Sequence, residues 1–352
     1  MSTSIQDPLL SRPSILPQGG VCSNLRSDGL RPARMNKAFH IRMACACVLL
    51  LLISIAGCRF TNLTVPGAAE GTLGFFLIFA ATLPVLAYWR EKKHIYQLDA
   101  AFTVYWAVLL KVLLAYPIVI AARLGMGISL RDGYLAGLDQ SLGVDVAQIF
   151  AWAPQHWIGQ YANASYGLLT YLILLAILLP ILTGRVHDAQ RFITANVIAF
   201  AVSLPIYALV PAIGPWFGGH FVPTGGQVEC QNALLLLRQP GPRTLGSAGI
   251  ICFPSFHAIW AVLCAYALWG NRWFRIPAFV LSCLILFSTV STGWHYFSDV
   301  AAGTVIAALS ILISNWLCRR WSNNLGTSDL VTHGRPNNLE MSEDVCMQEM
   351  TQ

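Results

Sequence analysis

Two short stretches carry the residue types from which phosphoryl chemistry is built. They are Pro254-Ser255-Phe256-His257 and, some forty residues later, His295-Tyr296-Phe297-Ser298-Asp299. Both sit at the edges of strongly apolar segments, where a bilayer meets water. An imidazole can attack phosphorus, and a carboxylate four residues on lies on the same helical face and can hold that ring in one tautomer. A second imidazole can protonate the departing alkoxide and later take a proton from water or an acceptor alcohol. A single histidine at a helix end is usually structural, and an H-x3-D pair alone is common by chance. The two motifs opening two apolar segments at this spacing are far more restrictive.

The elements that must hold these residues are membrane helices. Of 352 residues, 56% are hydrophobic and only 11% charged, against about 25% charged in soluble domains. Apolar windows of membrane-spanning length predict about eight helices, near 43–58, 71–89, 99–122, 163–183, 192–213, 255–270, 276–291 and 296–317. The fold class expected is an all-α polytopic integral membrane bundle. The basic residues lie between the apolar runs, so the net charge of +6 does not call for nucleic acid. Short segments on one side carry Arg90, Lys92 and Lys93, then Arg185 and Arg191, Arg272 and Arg275, Arg319 and Arg320. The other side holds Arg59, Arg123, Arg131, Arg238 and Arg243. The positive-inside rule therefore places both termini in the cytoplasm. The 214–254 loop and the 291–296 turn then face the periplasm, lumen or exterior together, and they carry the two histidine motifs.

Four regions follow from this reading. Residues 1–42, rich in Ser, Pro, Gly and Arg, read as a disordered cytoplasmic tail; 43–98 holds two additional helices; 99–317 is the catalytic membrane domain; 318–352 is a polar cytoplasmic tail. The 124–162 segment mixes apolar residues with Asp132, Asp139, Asp145 and Trp152. It reads as one or two short helices at the outer interface, either roofing the site or merely connecting. Lys111 interrupts the third span, as a functional group or as a lysine facing the bundle or a water defect.

The motifs resemble the type 2 phosphatidic acid phosphatase superfamily. Pro254-Ser255-Phe256-His257 is similar to its second signature, P-S-x-H, and Ser288 through His295 to Asp299 to its third, S-R-x5-H-x3-D, with Gly303 following. Phe253 to His257 and Gly293-Trp294-His295-Tyr296 most resemble the branch that contains inositol phosphorylceramide synthases. The resemblance covers roughly 99–317 and implies a six-helix core, with His295 as nucleophile, Asp299 as its orienter and His257 as general acid–base. Ser255 and Pro254, with the amides that open their helix, would sit under the phosphate. It implies no metal and no cofactor, and neither C-x-x-C nor H-E-x-x-H occurs. The implied partners are a phospholipid or sphingolipid substrate and the bilayer itself.

The chain departs from the superfamily at its cations. The first signature, K-x6-R-P, is represented only by Gly214-Pro215, with Tyr207 at the lysine place and Gly214 at the arginine place, and Thr289 replaces the arginine of the third. A phosphomonoester carries about −1.5 to −2 charges and would lose three charge-assisted partners. The departures thus favour a diester lipid as donor and phospho-head-group transfer, inositolphosphotransferase-like, over a lipid phosphate phosphatase. Arg238 and Arg243 could restore part of the charge, or be ordinary solvated arginines. A non-catalytic lipid-binding or transport protein is the alternative from another class, although no inverted repeat is visible.

Lesser signals remain. Cys230 and Cys252 share the predicted outer loop and could pair or stay free. Asn62-Leu63-Thr64 and Asn163-Ala164-Ser165 match the glycosylation sequon. His156, Trp216 and His220 could touch a head group or simply anchor at the interface.

Overall fold

The computed structural model describes residues 36–64, 95–217, 221–244 and 251–332, with side chains described as far as residue 318 except at 64, 243 and 244. The helix expected near 71–89 and both polar ends up to 35 and beyond 332 lie outside these residues. Eleven α-helices make up the described chain: α1 Lys37–Thr61, α2 Ile95–Leu124, α3 Asp132–Ser141, α4 Val146–Trp152, α5 Trp157–Tyr166, α6 Leu169–Leu182, α7 Val186–Leu209, α8 Gly225–Leu237, α9 Phe256–Leu268, α10 Arg275–Ser291 and α11 Phe297–Thr332. Two two-residue strands, β1 Leu63–Thr64 and β2 Arg243–Thr244, pair in parallel.

The protein is a polytopic membrane bundle. Four described helical runs, 37–61, 95–127, 186–209 and 297–318, are long and apolar enough to cross a bilayer. A fifth span arises if α5 and α6, bent by 59° at residues 167–168, count together. The expected 163–183 helix is therefore broken, and the interfacial segment before it holds α3 and α4, with α5 beginning at its end. At 13 residues α9 is about 20 Å long, shorter than the roughly 30 Å hydrocarbon core. Its environment explains why it persists: Ala258, Ile259, Ala261, Leu263, Cys264 and Leu268 are wholly buried, because α6, α7, α10 and α11 surround it. The outer helices instead expose Val48, Leu49, Leu52 and Ile53 on α1 and Ile276, Phe279 and Val280 on α10, as faces turned to lipid must. Lys111 is exposed on α2 rather than facing the bundle. The last helix runs on to Thr332, so the region expected as a polar tail from 318 begins as helix.

Polar groups fasten the two ends of this bundle. Where α1, α2 and α7 begin, Asp99 accepts from His40 Nε2 (2.7 Å), the Gln190 amide (3.1 Å to each oxygen) and the Asn36 backbone N–H (3.3 Å). Trp106 donates to the other His40 nitrogen at 2.9 Å. At the opposite end the buried Arg123 donates to the carbonyls of Thr61, Leu237, Gln239 and Gly241. Those bonds tie α1 and α2 to the end of α8.

Candidate active site

The histidine motifs meet where α7 and α10 end and α9 and α11 begin. Ser255 caps α9, its hydroxyl accepting from the Ala258 N–H at 3.3 Å, and its own N–H donates to the Asp299 carbonyl at 3.1 Å. This close main-chain seam needs Gly303: a Cβ there would lie 2.5 Å from the Ser255 oxygen. His257 occupies the first turn of α9 and His295 the turn before α11. Nε2 of His295 lies 3.4 Å from Nδ1 of His257.

Cys252 holds the second ring. Nδ1 of His295 sits 3.0 Å from the Cys252 carbonyl and 3.5 Å from Asp299 Oδ2, so Nδ1 carries the hydrogen and Nε2 presents its lone pair to His257. The Cys252 thiol donates to Asp299 Oδ2 at 3.0 Å, and the Tyr296 N–H donates to the same oxygen at 2.9 Å. Asp299 Oδ1 is buried with no partner among the described residues. Burial pushes His295 down to about 4, with the bond to the Cys252 carbonyl pulling the other way. The ring is therefore neutral near pH 7. Burial also drives the Cys252 thiol well above its ordinary value, assisted by the Asp299 carboxylate, which keeps it a thiol and a donor.

Aromatic rings form the wall beside His257. Tyr166 stacks on it at 4.6 Å between centroids, Trp294 lies parallel to Tyr166 at 6.3 Å, and Trp216 meets Trp294 edge-on at 5.6 Å. Trp216 is thus buried (4% exposed) rather than at the surface, with its N–H on Gln231 at 3.0 Å. His156 does remain exposed, stacked on Trp152; His220 lies outside the described residues. Gln227, in the capping box that opens α8, donates to the carbonyls of Thr292 and Gly293 at 3.2 Å each and so fixes the turn that leads into His295.

Not every expected site residue joins the histidines. Arg238 sits on the backbone carbonyls of Gly125 (2.7 Å) and Ile128, so its guanidinium is occupied by the 125–128 turn. The Arg243 side chain lies outside the described set. Tyr207 is wholly buried among apolar residues that include Ile213 and Trp216. Thr289 turns its hydroxyl to the Leu286 carbonyl at 2.7 Å. Gly214, with φ near +146°, donates its N–H to Asp132 at 2.9 Å; Pro215 and Pro254 are both buried. Cys230 and Cys252 are free thiols, because Cys252 faces Asp299. Asn163 accepts from Ser291 at 2.6 Å, so its sequon is folded into a helix contact.

The sulfur of Cys252, a ring nitrogen of His295 and an oxygen of Asp299 lie within 4.8 Å of one another, a donor set that a soft divalent ion could use. The thiol hydrogen goes to Asp299 Oδ2 and the His295 Nδ1 hydrogen to the Cys252 carbonyl, so two of the three donor groups are already engaged in hydrogen bonds.

A family model described as PAP2 superfamily matches residues 133–313, just over half of the chain. The chain belongs to the PAP2 superfamily. Both histidine motifs fall within the matched residues. PAP2 membership supports lipid phosphatase or phosphotransferase action in general. No curated protein and no solved structure matches the chain.

Proposed function

We propose that this PAP2 protein transfers a phosphorylated head group between lipids through a phosphohistidine, with His295 as nucleophile, Asp299 and the Cys252 carbonyl as its orienters and His257 as general acid–base. The observation that carries this reading is the meeting of His295 Nε2 and His257 Nδ1 at 3.4 Å, with the hydrogen of His295 held on its far nitrogen. The reactive nitrogen is unprotonated, and the ring that would exchange protons with the leaving and attacking oxygens stands beside it.

In the first step His295 Nε2 bonds to phosphorus, the phosphorus–oxygen bond to the diacylglycerol moiety breaks, and His257 gives its proton to the departing oxygen. In the second an acceptor hydroxyl attacks phosphorus, the phosphorus–nitrogen bond breaks, and His257 takes the hydroxyl proton. Attack needs an approach of roughly 3–3.5 Å and proton transfer a further contact of about 2.6–3.2 Å. The two rings must therefore part to admit the phosphoryl group.

The charge of the site supports a diester donor. Tyr207, Gly214 and Thr289 stand where the superfamily carries cations, and Arg238 is engaged by carbonyls. A diester with about one negative charge asks less of such a site than a monoester does. The resemblance of Phe253–His257 and Gly293–Tyr296 supports an inositolphosphotransferase-like reaction on the periplasmic, lumenal or exterior leaflet.

The test is to give the purified protein radiolabelled phosphatidic acid, phosphatidylinositol and phosphatidylcholine in mixed micelles, with and without a long-chain alcohol or ceramide, and to identify products by mass. Head-group phosphate should move from a diester to the acceptor, and His295→Ala should abolish the transfer. Release of free phosphate from phosphatidic acid alone, whatever the acceptor, would make the protein a phosphatase. Full turnover by His295→Ala would end the enzymatic reading at this site.

A further inference from the structure

The histidine motifs leave unexplained why two acids sit fully buried on α3, far from both in sequence. Asp132 and Asp139 are seven residues apart, so they share one face of the helix across two turns. Their relative exposures are 5% and 2%.

Each carboxylate is spent on the strand of chain that carries His295. Asp139 accepts from the N–H groups of Phe297 (2.7 Å) and Ser298 (2.9 Å), one to each oxygen. These belong to the first residues of α11, whose amides have no partner within their own helix. The residue before them is Tyr296, whose side chain cannot cap. Its own N–H goes to Asp299, so the three amides that open α11 are all taken by carboxylates. A negative group is also favoured at that end of a helix by the backbone dipole.

Asp132 performs the companion task one residue upstream. Oδ1 accepts from the Tyr296 hydroxyl at 3.2 Å, the Gly214 N–H at 2.9 Å and the Ile213 N–H at 3.0 Å. The Tyr296 hydroxyl also lies 3.2 Å from the Gly214 carbonyl. Three remote segments, α3, the 213–214 loop and residues 296–298, are thereby joined by two carboxylates immediately around His295.

We infer that Asp132 and Asp139 are positioning residues: α3 is a clamp that fixes the ring of His295 relative to its phosphorus target, rather than a roof or a connector. The inference rests on the phosphohistidine reading above. A misplacement of about 1 Å can cost about a hundredfold in rate, and an uncapped α11 start would give that freedom to the turn bearing the nucleophile.

The experiment compares wild type with Asp139→Asn, Asp139→Ser, Asp139→Leu and Asp132→Asn as full-length proteins in detergent. The probe is whichever labelled lipid of the panel above turns over fastest, competent sites are counted as folded, monodisperse protein, and acid-labile protein-bound label reports the phosphohistidine. Turnover per competent site should fall about a hundredfold for Asp139→Leu and about tenfold for Asp139→Asn and Asp139→Ser, which keep a capping acceptor. KM should stay within about threefold. Asp132→Asn should fall by about tenfold. A purely structural role would lower the folded fraction and leave turnover per competent site unchanged. That result, in Asp139→Leu or, if it fails to fold, in Asp139→Asn, overturns the inference. Wild type that forms no acid-labile phosphoprotein while transferring head groups takes down the parent reading and this one together.

Discussion

Two histidine–aspartate pairs stand at opposite ends of α7, a 24-residue helix about 36 Å long, and they are built to different standards. His40 and Asp99 meet at 2.7 Å, and His40 Nδ1 and both Asp99 oxygens have further partners in Trp106, Gln190 and Asn36. His295 and Asp299 are 3.5 Å apart, the ring is held more closely by a backbone carbonyl than by the acid, and one carboxylate oxygen has no partner. A fully satisfied network rigidifies what it joins, and a half-satisfied one is costly. The first pair fastens α1 to α2 and α7. The second leaves one carboxylate oxygen without a partner among the described residues, and the far nitrogen of its ring faces His257 rather than a fastening group.

The sharpest way to break this contrast is to cut each pair. His295→Asn should reduce transfer by about ten-thousandfold or more, as loss of a nucleophile does elsewhere, with little movement of the thermal midpoint in detergent. Asp99→Ala should do the opposite. It strands the His40 N–H and leaves the Gln190 amide only Thr103, and should cost roughly 1–3 kcal/mol of stability, with turnover per folded molecule unchanged. An Asp99→Ala protein that is stable but inactive would abolish the distinction.

Acid sharpens the comparison with a smaller effect. Burial holds His295 near 4, below the 6.5 or so of an unfolded histidine. Between those values the unfolded chain binds a proton that the folded one refuses, so the stability present above about pH 6.5 is lost as pH falls toward 4. Thermal midpoints taken across that window should decline, and His295→Asn should flatten the slope. An unchanged slope in the variant would place the acid sensitivity elsewhere.

The sequence made the second pair legible and hid the first. His257, His295 and Asp299 announce themselves because their spacing is local, and the apolar windows fall on α1, α2, α7 and the first part of α11, although α1 and α7 begin six residues before their windows and α11 runs fifteen residues past its own. The bend between α5 and α6 was invisible: Leu168 and Leu169 continue the apolar run through it. His40 and Asp99 are 59 residues apart, and no period in either segment links them. Asp132 and Asp139 did leave a trace, as two acids one heptad apart in an otherwise apolar interfacial stretch. Their targets are backbone amides, which have no sequence signature. In the sequence Cys252 is a cysteine that could pair with Cys230 or stay free, and the hold of its backbone carbonyl on His295 has no signature there.

Gly303 gives the motif spacing a meaning apart from reactivity. A helix turns by about 100° per residue, and Gly303 faces the Ser255 carbonyl only because it follows Asp299 by four places, slightly more than one full turn. Inserting or deleting a single residue between them would swing the smooth side of α11 away from α9 and bring a side chain against the Ser255 oxygen. The interval between this acid and its glycine is thus fixed by rotational phase: it is the step at which two main chains can touch.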